Sequence, residues 1–224
     1  MSFLLCRSLA FAVDVFELIE KSMVNRAAER PVEYAFAWSV LAPLTFLPAE
    51  CRRRVRILDV GGGESRLAKT LAELGFSVTV IDIGDVDRGG AELVRANVLS
   101  YEFPEASFDL IVAVSTVEHV GLPCYGQTLL DPDGDVKVME KIHRWLKPSG
   151  LAVVTVPFGK PHHPPSFERV YNRDALQSRI IGDRWRPLLT LFACSSKGWR
   201  TCSMEEAETC DACALLLLVK GERV

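Results

Sequence analysis

Three groups of residues have types and spacings that could do chemistry. The first is Asp59-Val60-Gly61-Gly62-Gly63 together with Asp82. Glycines let a backbone approach a ligand closely, and a helix starting just beyond them offers N–H groups without intrahelical partners. An ionised carboxylate at the end of the following strand accepts two hydrogen bonds at once, which suits ribose hydroxyls. The second is Glu118-His119, a carboxylate beside an imidazole that titrates near neutral pH and can take a proton. The third is the pair Cys210 and Cys213, with Cys194 and Cys202 upstream. A structural zinc wants four ligands in two close pairs. Only one close pair exists and Cys213 borders an apolar run, so the expectation here is buried or incidental thiols.

These residues need elements to position them. The apolar run Val55 to Val60 ends in the glycines, and Leu67, Leu71 and Leu74 then recur at helical spacing until Gly75. A second apolar run, Val78 to Ile81, ends in Asp82. Strand, glycine loop, helix and strand make one half of a nucleotide-binding α/β unit. Upstream, residues 9 to 29 read as an amphipathic helix with Phe11, Val15, Leu18, Ile19 and Met23 near one face. The stretch RPVEYAFAWSVL, ended by Pro43 and Pro48, is either a helix packed on the sheet or a lid with Glu33 or Tyr34 facing the site. Cys51-Arg52-Arg53-Arg54 reads as a solvated turn.

Downstream, Ala91 to Val98 is a weak third strand ending near Asn97. FDLIVAVS is the near-continuous apolar run of a strand buried on both faces. The turn-rich loop from Gly121 to Asp135 belongs at the sheet's C-terminal edge, where open α/β sheets bind ligands. Asp135 can cap a helix running to Leu146. LAVVTVP is a fifth strand, ended by Pro157. Asn172 or Asp174 starts a short helix to Ile181, and the runs Leu188 to Ala193 and Ala214 to Val219 could pair as closing strands.

Composition excludes several classes. At 224 residues and 49% hydrophobic, the chain suits one globular α/β domain with a sizeable core. A net charge of -3 carries no strong nucleic-acid signal and no general attraction for an anionic membrane. The N-terminal apolar stretch, interrupted by Arg7 and Asp14, falls short of the roughly 20 residues a bilayer needs, and lacks the basic start of a signal peptide. Seven scattered cysteines, an odd number, fit a reduced cytoplasmic setting.

Taken in order, the pattern resembles the class I S-adenosylmethionine-dependent methyltransferases, type-11-like branch, over roughly residues 55 to 220. DVGGGES is similar to that family's first motif, with Ser65 where a third glycine is usual. Asp82 matches its ribose-holding acid, and Asn97 stands where an Asp is often near the adenine amino group. FDLIVAVSTVEHV and HRWLKPSGLAVVTVP resemble the fourth strand and the helix, glycine turn and fifth strand after it.

The resemblance implies a Rossmann-like three-layer α/β sandwich with a mostly parallel seven-stranded sheet and N-terminal helices over the cofactor edge. It implies an N-terminal helical cap over residues 1–50 and a cofactor-binding domain over 51–224, compact as one unit. S-adenosyl-L-methionine would be the cofactor, surrounded by Asp59, Gly61, Gly62, Gly63, Asp82, Ile83, Asn97, Val98 and Ser115. Glu118 and His119 would face a small-molecule acceptor as the catalytic pair.

Some methyltransferases similar to this pattern hold a divalent metal with Glu and His after the fourth strand, which would recruit His162 or His163 here. A further Glu of those members is Ser115 in this chain, so the expectation is a site without a metal. Two other readings remain. One is a methyltransferase-like binding or regulatory protein without turnover. The other is an NAD-type Rossmann enzyme, whose fingerprint wants glycine where Arg66 stands.

Overall fold

The computed structural model describes residues 29–221 except 65, 86, 161–166, 196 and 197. The amphipathic helix expected from residue 9, the family's third-glycine position at Ser65, and His162 and His163 therefore lie outside the described residues, Glu29 apart.

Eight strands form one sheet: β1 (Arg56–Val60), β2 (Ser77–Asp82), β3 (Glu92–Arg95), β4 (Phe108–Val114), β5 (Leu146–Phe158), β6 (Trp185–Cys194), β7 (Arg200–Cys202) and β8 (Ala212–Lys220). Their order is β3-β2-β1-β4-β5-β8-β6-β7. The five strands from β3 to β5 are parallel, β8 runs antiparallel between β5 and β6, and β7 is antiparallel to β6. The sheet thus has one strand more than the seven expected. The extra one, Arg200–Cys202, is a three-residue edge piece, too short and polar to show a period of two.

The helices are α1 (Arg30–Leu41), α2 (Ala49–Arg52), α3 (Leu67–Glu73), α4 (Gly134–Trp145), α5 (Arg173–Ala175, running on as a wider π turn over Leu176–Ile181) and α6 (Met204–Ala207). They sort onto two faces. Along β4, Ile111 and Ala113 join a core with Val138, Ile142 and Trp145 of α4 and Leu176 of α5. Their neighbours Leu110, Val112 and Val114 join a second core with Phe36 and Leu41 of α1 and Leu67 and Leu71 of α3. A strand with a core on each face is apolar at each position that the cores cover, which is why Leu110 to Val114 show no alternation after the half-buried Asp109.

The turn from α3 into β2 shows how local chemistry fixes the glycine unit. Gly75, at φ +91°, takes a conformation that side chains rarely allow. Its N–H donates to Ala72 O and Phe76 N–H donates to Leu71 O, with both Leu71 and Phe76 buried. This double bond pattern with an apolar contact ends the helix and aims β2 back along β1.

Two local expectations are corrected. Pro157 does not end β5, which continues to Phe158 with Pro157 opposite Cys213. In a strand a residue's N and O point to the same side, and Pro157 O accepts from Tyr171 N–H. On that side β4 has already ended, its last pair being Val114 with Thr155, so the missing N–H breaks no ladder bond. Asp135 is not the cap of α4; Asp133 holds that position, and no side chain caps there. Asp135 is fully buried instead. Its oxygens accept from Arg179 Nε at 2.8 Å, Arg179 Nη2 at 2.7 Å and Tyr171 Oη at 3.0 Å. Asn172 does cap α5, accepting from Ala175 N–H at 2.9 Å.

Candidate active site at the C-terminal edge of the sheet

The C-terminal ends of β1, β2, β3 and β4 open on a cleft of about 260 Å³. Asp59, Gly61, Gly63, Asp82, Ile83, Asn97, Val98, Ser115 and His119 all line it. Of the residues singled out in the sequence, Gly62 and Glu118 are not on its wall. Gly62 is buried beneath it, where an added Cβ would stand 2.6 Å from Asp59 Oδ2.

The glycine loop is shaped by contact on both sides. Gly61 sits at φ +72°, and a Cβ there would lie 2.3 Å from the Thr116 side chain. A Cβ on Gly63 would lie 2.8 Å from Asp82 Oδ2. That oxygen accepts from Gly63 N–H at 2.9 Å, while Oδ1 accepts from Gly84 N–H at 2.7 Å. Asp82 therefore ties the glycine loop to the turn after β2. A carboxylate offers about four lone-pair directions, so each oxygen retains capacity for one more donor. Asn97 closes this end, its Oδ1 accepting from Leu99 N–H at 2.9 Å.

The opposite wall rests on α1. Tyr34 and Arg30 face the cleft. Glu33 lies behind them with 0% exposure, so one helix both packs on the sheet and covers the site. Glu33 Oε1 accepts from Ser115 Oγ at 2.6 Å and Thr155 Oγ1 at 2.7 Å, and Arg30 Nη1 lies 3.6 Å from Oε2. Burial raises the Glu33 carboxyl above its ordinary pKa, with the two hydroxyls and Arg30 pulling the other way. The bonds hold Ser115 at φ +42°, an uncommon backbone conformation for a residue with a side chain, where β4 gives way to the next turn.

That turn is a single 3₁₀ loop, Val117–His119. His119 Nδ1 lies 2.8 Å from the Phe167 carbonyl oxygen, and its ring packs edge-on against Tyr125 and Phe167. A carbonyl only accepts, so Nδ1 carries the proton and Nε2 of the neutral ring keeps its lone pair. Glu118 is 1% exposed, and neither of its carboxylate oxygens has a hydrogen-bond partner among the described residues. Its Oε1 stands 3.8 Å from His119 Nε2. Burial pushes the Glu118 carboxyl well above the usual carboxylate range, and the nearby carboxyls of Glu33 and Glu168 add to this.

Arg169 is the positioning residue that sequence reasoning missed. Its guanidinium donates to the carbonyls of Glu118, Val120, Asp131 and Pro132. Gln127 adds a further tie, donating to His119 O at 2.9 Å and accepting from Gly121 N–H at 3.1 Å. Neither residue sits in a recognisable motif, since both act mainly on backbone carbonyls or amides that any sequence supplies; Arg169 adds an ion pair to Asp135 at 3.6 Å.

A family model described as a methyltransferase domain matches residues 29–188, well over half of the chain. Among curated proteins, a ubiquinone biosynthesis O-methyltransferase from Pseudomonas putida is 31% identical over 173 residues, covering 63% of this chain and 73% of that one. One of the same name from Paramagnetospirillum magneticum is 35% identical over 74 residues, and there the chain spans only 30% of the relative's length. Among solved structures, the 1,6-didemethyltoxoflavin-N1-methyltransferase of Burkholderia thailandensis, with S-adenosylhomocysteine bound, superposes with a TM-score of 0.54. It is 16% identical and covers 89% of this chain and 93% of that one, a likeness of fold. With the glycine cleft, the strand order and this match in agreement, the chain belongs to the S-adenosylmethionine-dependent methyltransferases.

Proposed function

We propose that the chain methylates a hydroxyl group of a small molecule, with His119 Nε2 as the proton acceptor. One observation carries the reading. The Phe167 carbonyl accepts the His119 Nδ1 proton, which makes Nε2 the basic nitrogen of a ring that lines the same cleft as the glycine loop. The O-methyltransferase names of the curated relatives support an oxygen nucleophile.

The cleft fits the cofactor. The room that a Cβ on Gly63 would fill beside Asp82 is a backbone cradle, and Asp82 has acceptor capacity left for ribose hydroxyls. Asp59 and Gly61 to Gly63 would hold the methionine portion, and Ile83, Asn97 and Val98 the adenine. Ser115 would carry the join between cofactor and acceptor halves. When bound, the cofactor supplies a methyl group already activated on a sulfonium sulfur. The chain's work is to align the acceptor, exclude water and take its proton at His119 Nε2. Tyr34 and Tyr125 bound the acceptor side. The buried Glu118 lies 3.8 Å from Nε2, and its ionised form would favour the imidazolium once the proton has moved.

Residues 1–50 act as a cap on the cofactor domain 51–224, a reading supported by the α1 side chains Arg30 and Tyr34 on the cleft. The cytoplasm is the proposed setting, supported by six described cysteines outside any disulfide. Among the described residues, no helix is long and apolar enough to cross a membrane.

Turnover with a panel of phenols, catechols, amines and carbon acids tests the reading, each with and without exhaustive chelation. The hydroxyl acceptors should turn over, chelation should leave the rate unchanged, and His119→Ala should lower it by about 10²-fold or more with little loss of cofactor affinity. Methylation confined to amines, or activity that vanishes on chelation and returns with one metal, would overturn it.

A further inference from the structure

At the far edge of the sheet, three strands away from β4, the chain gathers a second set of reactive side chains. The thiols of Cys194 and Cys202 and a carboxylate oxygen of Glu206 all lie within 4.8 Å of one another. Cys210 lies beside this set, but its Sγ is not within that distance of all three ligand atoms. Cys194 ends β6 and is fully buried, whereas Cys202, Cys210 and Glu206 are partly exposed. Cys213, which the sequence pairs with Cys210, belongs to the core on the other face of the sheet.

Local structure explains the convergence. Cys202 ends β7, and the Ser203 hydroxyl then caps a single helical turn by accepting from Glu206 N–H at 3.2 Å. Cys210 follows that turn, its Sγ 3.4 Å from Glu206 O. The turn thus carries Glu206, and the strand before it and the bend after it bring Cys202 and Cys210 to the same end of β6.

From this cluster we infer a divalent-metal site at which Cys194, Cys202 and Glu206 bind zinc, with the neighbouring Cys210 completing the tetrahedral set on binding. Thiolates and a carboxylate are ligand types that zinc takes in tetrahedral sites. Sequence spacing hides the set because two ligands come from the ends of strands and two from a capped turn. The Arg200 guanidinium is ion-paired with Glu206, and a positive charge at this place lowers the cost of gathering thiolates and a carboxylate around the ion. On binding, three S–H bonds give their protons to the buffer and three S–Zn bonds form, with no change in oxidation state. The site would staple β7 and α6 to β6, a structural role remote from the cleft.

The test uses the whole chain, reduced and stripped of metal, with Co²⁺ as optical probe and Zn²⁺ as competitor. One ion per chain should bind with a thiolate-to-cobalt charge-transfer band that Zn²⁺ abolishes, and zinc should raise Tm by about 5 °C or more. Cys202→Ser and Cys210→Ser, at partly exposed positions where the fold tolerates serine, should each weaken zinc binding roughly tenfold or more. Losing a direct ligand costs at least as much as losing an outer-shell partner. Cys51→Ser, at an exposed thiol elsewhere, should change nothing. Absence of binding at micromolar metal, equal binding in a Cys202→Ser, Cys210→Ser double variant, or a disulfide within the cluster that forms in air in place of metal binding would each overturn the proposal.

Discussion

At the glycine loop, Gly63 N–H reaches Asp82 across 19 positions of sequence, and Gly84 N–H reaches it across two. At the other end of the same cleft, Ser115 and Thr155 reach Glu33 across 82 and 122 positions, and His119 meets the Phe167 carbonyl across 48. The first end is a supersecondary unit whose bonds close as soon as β1, α3 and β2 pack. The second exists only once α1, β4 and β5 have come together. Loop-closure entropy makes the second arrangement costlier to assemble, and its bonds join the cleft to the core of the sheet. Substitutions at the two ends should therefore have different signatures: lost ligand binding at the first, lost stability at the second.

Asp82→Ala should give the largest effect and the cleanest example of the first signature. It removes two backbone tethers and the predicted ribose acceptors. Hydrogen bonds to a charged group are worth about 1.5–3 kcal/mol and rarely add fully, so cofactor affinity should fall by roughly 2–4 kcal/mol. By calorimetry this is a loss of about 30- to 1,000-fold. Asp82 is partly exposed at the strand end, so the thermal midpoint should move little. A large fall in Tm with affinity preserved would erase the distinction between the two ends.

Glu33→Ala should give the second signature. Two buried hydroxyls, Ser115 Oγ and Thr155 Oγ1, lose their shared acceptor. Leaving buried polar groups without partners costs about 1–3 kcal/mol, which is roughly 2–10 °C in Tm for a chain of this size. Glu33→Gln keeps an acceptor oxygen and should lose less than half of that. Differential scanning calorimetry of the two variants decides the matter, and equal losses would show that the hydroxyl bonds contribute nothing.

The same contrast explains what could be read from the sequence. The glycines, Asp82, FDLIVAV and the helix ending at Gly75 were legible because each owes its form to neighbours within one unit. Glu33 was visible only as an acid in an aromatic helix, with its partners 82 and 122 positions away. Asp135 was misread as a cap because its burial depends on Arg179 and Tyr171, which arrive much later in the chain. Pro157 was misread as a strand end because only the sheet shows that β4 stops short of it. Arg169 carried no signal at all. Its hydrogen-bond partners are carbonyl oxygens, which have no residue type, and its one carboxylate neighbour, Asp135, lies 34 positions earlier.

The smallest expected effect, and the sharpest test of the acceptor end, lies with Glu118. Its folded-state pKa is raised by burial, with Glu33 and Glu168 adding to the shift. A carboxyl that titrates higher in the folded state than in the unfolded one binds its proton preferentially when folded. Its contribution to stability is fully present below the unfolded pKa of about 4.3 and is lost as pH rises through the folded value. Glu118→Gln is nearly isosteric with the protonated acid and does not titrate. The difference in Tm between variant and wild type should be flat below about pH 4. It should then grow in the variant's favour as pH rises toward neutral. Glu33, raised in the same direction, is present in both proteins and cancels to first order in the difference. Melting curves at closely spaced pH values read this directly. A difference that does not change with pH would mean that the Glu118 carboxylate is stabilised by water or by residues outside the described ones, so that burial does not hold the carboxyl neutral beside His119.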